Sequence, residues 1–185
     1  MRRLFLSCSL FLVACVSSVP SPSPPAQTWS VYTPAGGQYS FSYPSTLTVR
    51  EGQDLMFKDA TMHGASFVFP PSMGNGTALR EASIHVASGD ASLCSQTASP
   101  HTLGGEPALE WEWSNADWGW SNNTYADAPL IGTTQEALHN GVCYRLTLFT
   151  RSCNPTSNCP PGRTAPFDRL TLLPVYRDVA ASFRF

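Results

Sequence analysis

Four of the chain's five tryptophans lie within ten residues, in WEWSNADWGW from Trp111 to Trp120. If Ser114 to Asp117 form a four-residue turn, Trp113 faces Trp118 and Trp111 faces Trp120. All four indoles then share one side of a ribbon, with Glu110 and Glu112 on the other. Buried, each ring would bring roughly 150–250 Å² into a core. Exposed, the four would form a shelf for stacking a sugar, a peptidoglycan fragment or a partner peptide. Such a patch exceeds the few hundred Å² that a monomer tolerates without a ligand. The amide-rich GWSNNTYADAP that follows, with Tyr125, suits hydrogen bonding to a glycan. Core and shelf both stay open, and the candidate ligand-binding set is Trp111, Trp113, Trp118, Trp120 and Tyr125.

Other residue types offer less. Glu110 and Glu112 on one strand would lie roughly 7 Å apart on one face. Glycosidase carboxylates at about 5–10 Å must flank a sugar bond from opposite sides, so a solvated face is the expected reading. His63, His85, His101 and His139 are scattered, without the spacing of a metal site. Neither a GxSxG elbow nor a phosphate-binding loop occurs, and no cofactor is implied. The remaining enzymatic route is a hydrolase whose serine site is assembled from distant loops.

Within the body of the chain stand four cysteines, Cys94, Cys143, Cys153 and Cys159. An even count in an exported chain reads as two disulfides with three connectivities. The short spacing from Cys153 to Cys159 closes on itself, which leaves Cys94 with Cys143.

Export is what the start of the chain suggests. Arg2 and Arg3 precede an apolar run of signal-peptide length, too short to remain as a membrane span. It ends in Leu12-Val-Ala-Cys15, which resembles the lipobox of bacterial lipoproteins. That resemblance implies cleavage before Cys15 and acylation of Cys15, with two or three chains for durable anchoring. Val16 to Thr28 is rich in proline and serine and should stay extended as a tether. At about 3.1 Å per residue it reaches roughly 40 Å. An aspartate after the cysteine would favour the inner membrane; Val16 points to an outer membrane, where the organism has one. The expected division is therefore 1–14 leader, 15–28 lipidated cysteine and tether, and 29–185 a single globular domain. Without Arg2 and Arg3 the formal charge falls from −2 to −4, and Lys58 is the sole lysine. No basic stripe exists for nucleic acid.

The elements that would position these residues are mostly strands. Tyr39 to Pro44 alternates aromatic and small residues, and Leu47 to Arg50 would continue it past a bend at Pro44-Ser45. Ala65–Phe69, Ser83–Ala87 and Leu109–Trp113 read as further strands. Ile131 to Thr150 reads as a hairpin around Asn140-Gly141, a type I′ pair. Its register sets Glu136 opposite Arg145 as an exposed ion pair, and puts Tyr144, Leu146 and Leu148 on one core face. Leu172, Leu173, Tyr176, Val179, Ala180 and Phe183 recur at helical spacing, with Pro174 in the first turn. Ser182 to Phe185 is short enough for a closing strand. The fold class is α+β, an antiparallel β-sheet packed against helices.

YSFSYP, HNGVCYRLTLFTRSC and the terminal helix running into SFRF together look like the PsbP-like lipoprotein domains of bacteria. The resemblance spans most of Tyr39 to Phe185. It implies an antiparallel sheet with helices on its faces and carries no catalytic residue set. The first strand departs from the pattern in lacking Asp-Trp after its proline. The expectation is a lipid-anchored envelope protein with a non-catalytic binding or assembly role, held at the membrane by its acyl chains. Its partner would be an envelope protein or a glycan. The alternatives are a glycan- or peptidoglycan-binding module using the Trp111–Trp120 segment, and the loop-built hydrolase.

Overall fold

The structure is a computed structural model, and it describes residues 27–57, 60–95, 100–114, 130–154, 159–163 and 165–185, with the side chains of 53–61 left aside. Nine strands and one α-helix occur among the described residues. Strands β1 (Trp29–Tyr32) and β2 (Phe41–Pro44) pair as a two-stranded ribbon. The main sheet holds β3 (Thr48–Phe57), β4 (Ala60–Val68), β5 (Leu79–Asp90), β6 (His101–Leu103), β7 (Glu106–Ser114), β8 (Leu130–His139) and β9 (Val142–Ser152). Its order is β3-β4-β5-β9-β8-β7-β6, with every pairing antiparallel. Helix α1 (Leu173–Ser182) follows a 3-10 turn over Arg169–Leu172, whose Leu170 N–H is capped by Asp168 Oδ1 at 3.0 Å. No helix among the described residues is long and apolar enough to cross a membrane.

One face of the sheet carries the core. Alternation sends Phe67, Ile84, Val86, Leu146 and Leu148 to this side, where all are fully buried. The ribbon and α1 cover it with Tyr32, Tyr39, Phe41, Tyr176, Val179 and Phe183. Aromatic rings fill the seam: Phe183 stacks on Tyr39 at 5.2 Å and on Phe41 at 5.6 Å, and Phe41 meets Phe67 edge-on at 5.0 Å. Such pairs add roughly 0.5–1.5 kcal/mol each beyond area burial. Tyr176 donates its hydroxyl to the Leu146 carbonyl at 3.0 Å, which registers the helix on the central strand β9.

Several expectations meet their elements. The β8–β9 hairpin turns at Asn140 (φ 49°) and Gly141 (φ 77°), the positive angles that a type I′ turn requires. Tyr144, Leu146 and Leu148 are core, and the helical set packs as its spacing indicates. The chain end closes as a single bridge between Ser40 and Arg184, with two backbone bonds of 2.8 Å.

Other expectations are corrected. The described fold has one ten-residue helix, on one face, rather than helices on the sheet's faces. The aromatic opening strand pairs with Trp29–Tyr32, a segment too short to show a period, and Leu47–Arg50 does not continue it. After the turn at Ser45 the chain enters the other sheet as β3. Glu136 and Arg145 are opposite each other as expected, but the carboxylate is buried rather than exposed.

Candidate functional site

The tryptophan strand β7 pairs with β8, setting Trp111 opposite Thr134 and Trp113 opposite Gly132. Both indoles lie on the face away from α1. Trp113 is only 8% exposed, and its Nε1–H donates to Thr134 Oγ1 at 2.9 Å. A Cβ at Gly132 would stand 2.2 Å from the indole, so only glycine admits this ring. Trp111 is half-buried, with the Arg145 guanidinium 5.8 Å from its ring centroid. Trp113 therefore belongs to packing and offers no stacking shelf. Trp118, Trp120 and Tyr125 lie outside the described residues.

The same face is unusually polar for a buried surface. Register places Ser66, His85, Thr147 and Thr134 in one row across four strands. The Thr134 and Thr147 hydroxyls bond at 2.9 Å, and Ser83 Oγ bonds His85 Nε2 at 2.8 Å. Burial pushes the His85 imidazole down to about 4, so it is neutral at pH 7. Serine and histidine at this distance have the spacing of a nucleophile and its base. Ser83, however, is 0% exposed, and among the described residues no carboxylate reaches the other His85 nitrogen. The pair satisfies its own buried polar atoms.

Beside this row the Cys94–Cys143 disulfide ties the 3-10 turn Ala91–Leu93 to β9. Cys153 and Cys159 form the second bridge, so both pairings follow the spacing. Glu136 accepts from Ser95 N at 2.7 Å and from Arg145 Nε at 2.9 Å, while Arg145 also donates to the Leu93 carbonyl. Cys94, Glu136 and Cys143 come close enough to suggest a metal site, but both sulfurs are committed to the disulfide and offer no thiolate.

On the helix side, Glu110 and Glu112 part company. Glu110 takes both terminal nitrogens of Arg177, one at 2.6 Å, and accepts from Gln135 Nε2 at 2.6 Å. Burial alone would raise its pKa. Hydrogen bonds from Arg177 and Gln135, with the charges of Arg177 and His101, outweigh this and hold it below the usual carboxylate range. Glu112 is exposed and pairs with Arg169 at 2.7 Å. The expected solvated face is thus a docking seam for the 3-10 turn and α1. Among the remaining histidines, His139 Nδ1 meets Glu106 at 2.8 Å, and no histidine belongs to a group of three or more potential metal ligands among the described residues.

A concave site does exist, where sequence patterns gave no signal. A cleft of about 480 Å³ opens between the ribbon and the β3–β4–β5 end of the sheet. Tyr32, Gln38, Tyr39, Glu51, His63 and Ser88 line it, together with Pro34, Ala35 and Gly36. Gly52 (φ 64°) sits in the bulge where the β3–β4 register shifts between Arg50 and Gln53. Bulges of this kind re-aim neighbouring side chains. Burial raises the Tyr32 phenol and the negative charge of Glu51 adds to it; Tyr39 is raised by burial, then by Tyr32, Tyr144 and Glu51. Both phenols stay protonated at neutral pH, able to donate and to accept.

No family model matches the chain, and no curated protein matches it. Among solved structures it is similar to the solution structure of cyanobacterial PsbP (CyanoP) from Synechocystis sp. PCC 6803. That similarity has a TM-score of 0.40 at 12% identity and covers 91% of this chain and 98% of that chain.

Proposed function

We propose that this chain is a lipid-anchored, extracytoplasmic envelope protein of PsbP-like type, whose domain binds or helps assemble something without catalysing a reaction. The observation that carries the reading is that all four cysteines of the domain stand in disulfides, in a chain whose start reads as an export leader cut just before Cys15. Disulfides persist in oxidising compartments. A Pro/Ser tether of roughly 40 Å would hold the domain clear of the bilayer. Val16 supports sorting to an outer membrane where there is one. The motifs YSFSYP, NGVCY and SFRF support the PsbP-like assignment.

The non-catalytic part of the reading is supported by how the reactive side chains are used. Glu110 and Glu136 are engaged in ion pairs, and Ser83 has no solvent access. These groups hold the fold together.

Growth with an alkyne-tagged palmitate, followed by mass spectrometry of the mature amino terminus, tests the anchoring. The expected result is an acylated Cys15 as the first residue, with Cys15→Ala releasing the domain from membranes. An uncut leader or a free Cys15 thiol would overturn it.

A further inference from the structure

The cleft between the ribbon and the β3–β4–β5 end differs from the rest of the molecule in how its polar groups are used. Elsewhere most buried polar side chains are engaged inside the fold: Glu136 with Arg145, Thr134 with Thr147, Tyr176 with Leu146, with Gln135 Oε1 and Arg169 Nε among the buried atoms that make no hydrogen bond. In the cleft, the hydroxyls of Tyr32, Tyr39 and Ser88, the Gln38 amide and the Glu51 carboxylate have no hydrogen-bond partner among the described residues. The two tyrosine rings are 8% and 4% exposed, yet neither hydroxyl is an enclosed, unsatisfied atom. The rings are thus anchored in the aromatic seam, and their hydroxyls open into the cleft.

Three properties define what such a site accepts. A cleft of about 480 Å³ falls within the range of small-molecule sites, roughly 300–1,000 Å³, and is far too large for a bare ion. Among the described residues no lysine or arginine lines it, and it carries the Glu51 carboxylate, which disfavours an anion. Hydroxyls and amides both donate and accept, and they pair best with ligand hydroxyls, which do the same. The tyrosine rings turn no open face to solvent, which removes stacking as the mode of recognition.

We propose that this cleft binds a small polyhydroxylated amine of the amino-sugar class, with the amine on Glu51 and hydroxyls on Tyr32, Tyr39 and Gln38. The inference rests on the binding role proposed above and is independent of the lipid anchor.

Isothermal titration of the full-length protein in detergent with glucosamine, glucose and glucuronate tests it. Glucosamine is expected to bind saturably, at least tenfold more tightly than glucose, and glucuronate not at all. Glu51→Gln should erase the preference for glucosamine. Tyr32→Phe and Tyr39→Phe should each weaken both sugars about two- to tenfold, the worth of one hydrogen bond. Their thermal midpoints should not move, because the lost hydroxyls have no hydrogen-bond partner among the described residues. Gln38→Ala, at an exposed position, gives the same reading should a tyrosine variant fold poorly. Absence of saturable glucosamine binding, or an unchanged preference in Glu51→Gln, would overturn the proposal. Glucosamine binding with an unacylated Cys15 would sink the anchoring alone; an acylated Cys15 without binding would sink the ligand alone.

Discussion

Glu136 and Arg145 face each other across β8 and β9 with Nε 2.9 Å from Oε2, and the carboxylate is only 2% exposed. The pair lies between the Cys94–Cys143 bridge and Trp111, and it also holds the backbone of Leu93 and Ser95. Removing one member leaves a buried charge without its partner, which costs about 3–5 kcal/mol. Glu136→Ala should therefore lower the denaturant midpoint strongly. A cycle with Arg145→Met should show the double variant to be less damaged than the sum of the singles. Additive losses would mean that the two side chains act separately.

Gly132 is the second position where a small change should be felt. A Cβ there meets the Trp113 indole at 2.2 Å, so Gly132→Ala must displace the ring or bend β8. Overpacking of this kind costs about 1–3 kcal/mol. Displacement would also break the bond from Trp113 Nε1 to Thr134. The expected readouts are a lower thermal midpoint and a red shift of tryptophan emission. An unaltered midpoint would contradict the tight packing.

Stability should depend on pH through His85. Its folded pKa is lowered to about 4 by burial, against about 6.5 when unfolded. As pH falls, the unfolded chain takes up the proton first. The contribution is therefore complete above about pH 6.5 and is lost progressively towards pH 4, by roughly 3 kcal/mol at most. Glu110, held below the usual carboxylate range, loses its contribution only at lower pH, so the interval from 6.5 to 5 separates the two. In His85→Gln the denaturant midpoint should flatten across that interval. A slope equal to that of the parent protein would refute the assignment.

The two disulfides should contribute unequally. Cys94 and Cys143 are 49 residues apart, and Cys153 and Cys159 only 6. Loop-closure entropy then gives about 4 kcal/mol for the first and about 2 kcal/mol for the second. Paired Cys→Ala variants compared by urea denaturation should show that order, with the first also loosening the Ala91–Ser95 segment to proteolysis.

The parts of this protein legible in its sequence are those governed by neighbours along the chain. Asn140-Gly141 tolerates positive φ, which fixed the β8–β9 hairpin and the register of Glu136 against Arg145. A spacing of six positions between two cysteines fixed one bridge and, by remainder, the other. A 3.6-residue period with Pro174 in the first turn marked α1. Local geometry determines these whatever the surroundings.

What alternation could not supply was the environment of each face. It put Trp111 and Trp113 on one side of β7 and Glu110 and Glu112 on the other, but a period of two is silent about what packs there. Only the assembled sheet brought Thr134 under the Trp113 indole, Arg177 onto Glu110, and Leu93 and Ser95 over Glu136. The cleft is the clearest case. Tyr32, Gln38, Tyr39, Glu51, His63 and Ser88 come from the ribbon, its connection and three strands, and they meet because a two-stranded ribbon folds back over the sheet. Convergence of distant segments is a property of packing, and it leaves no spacing in the chain to read.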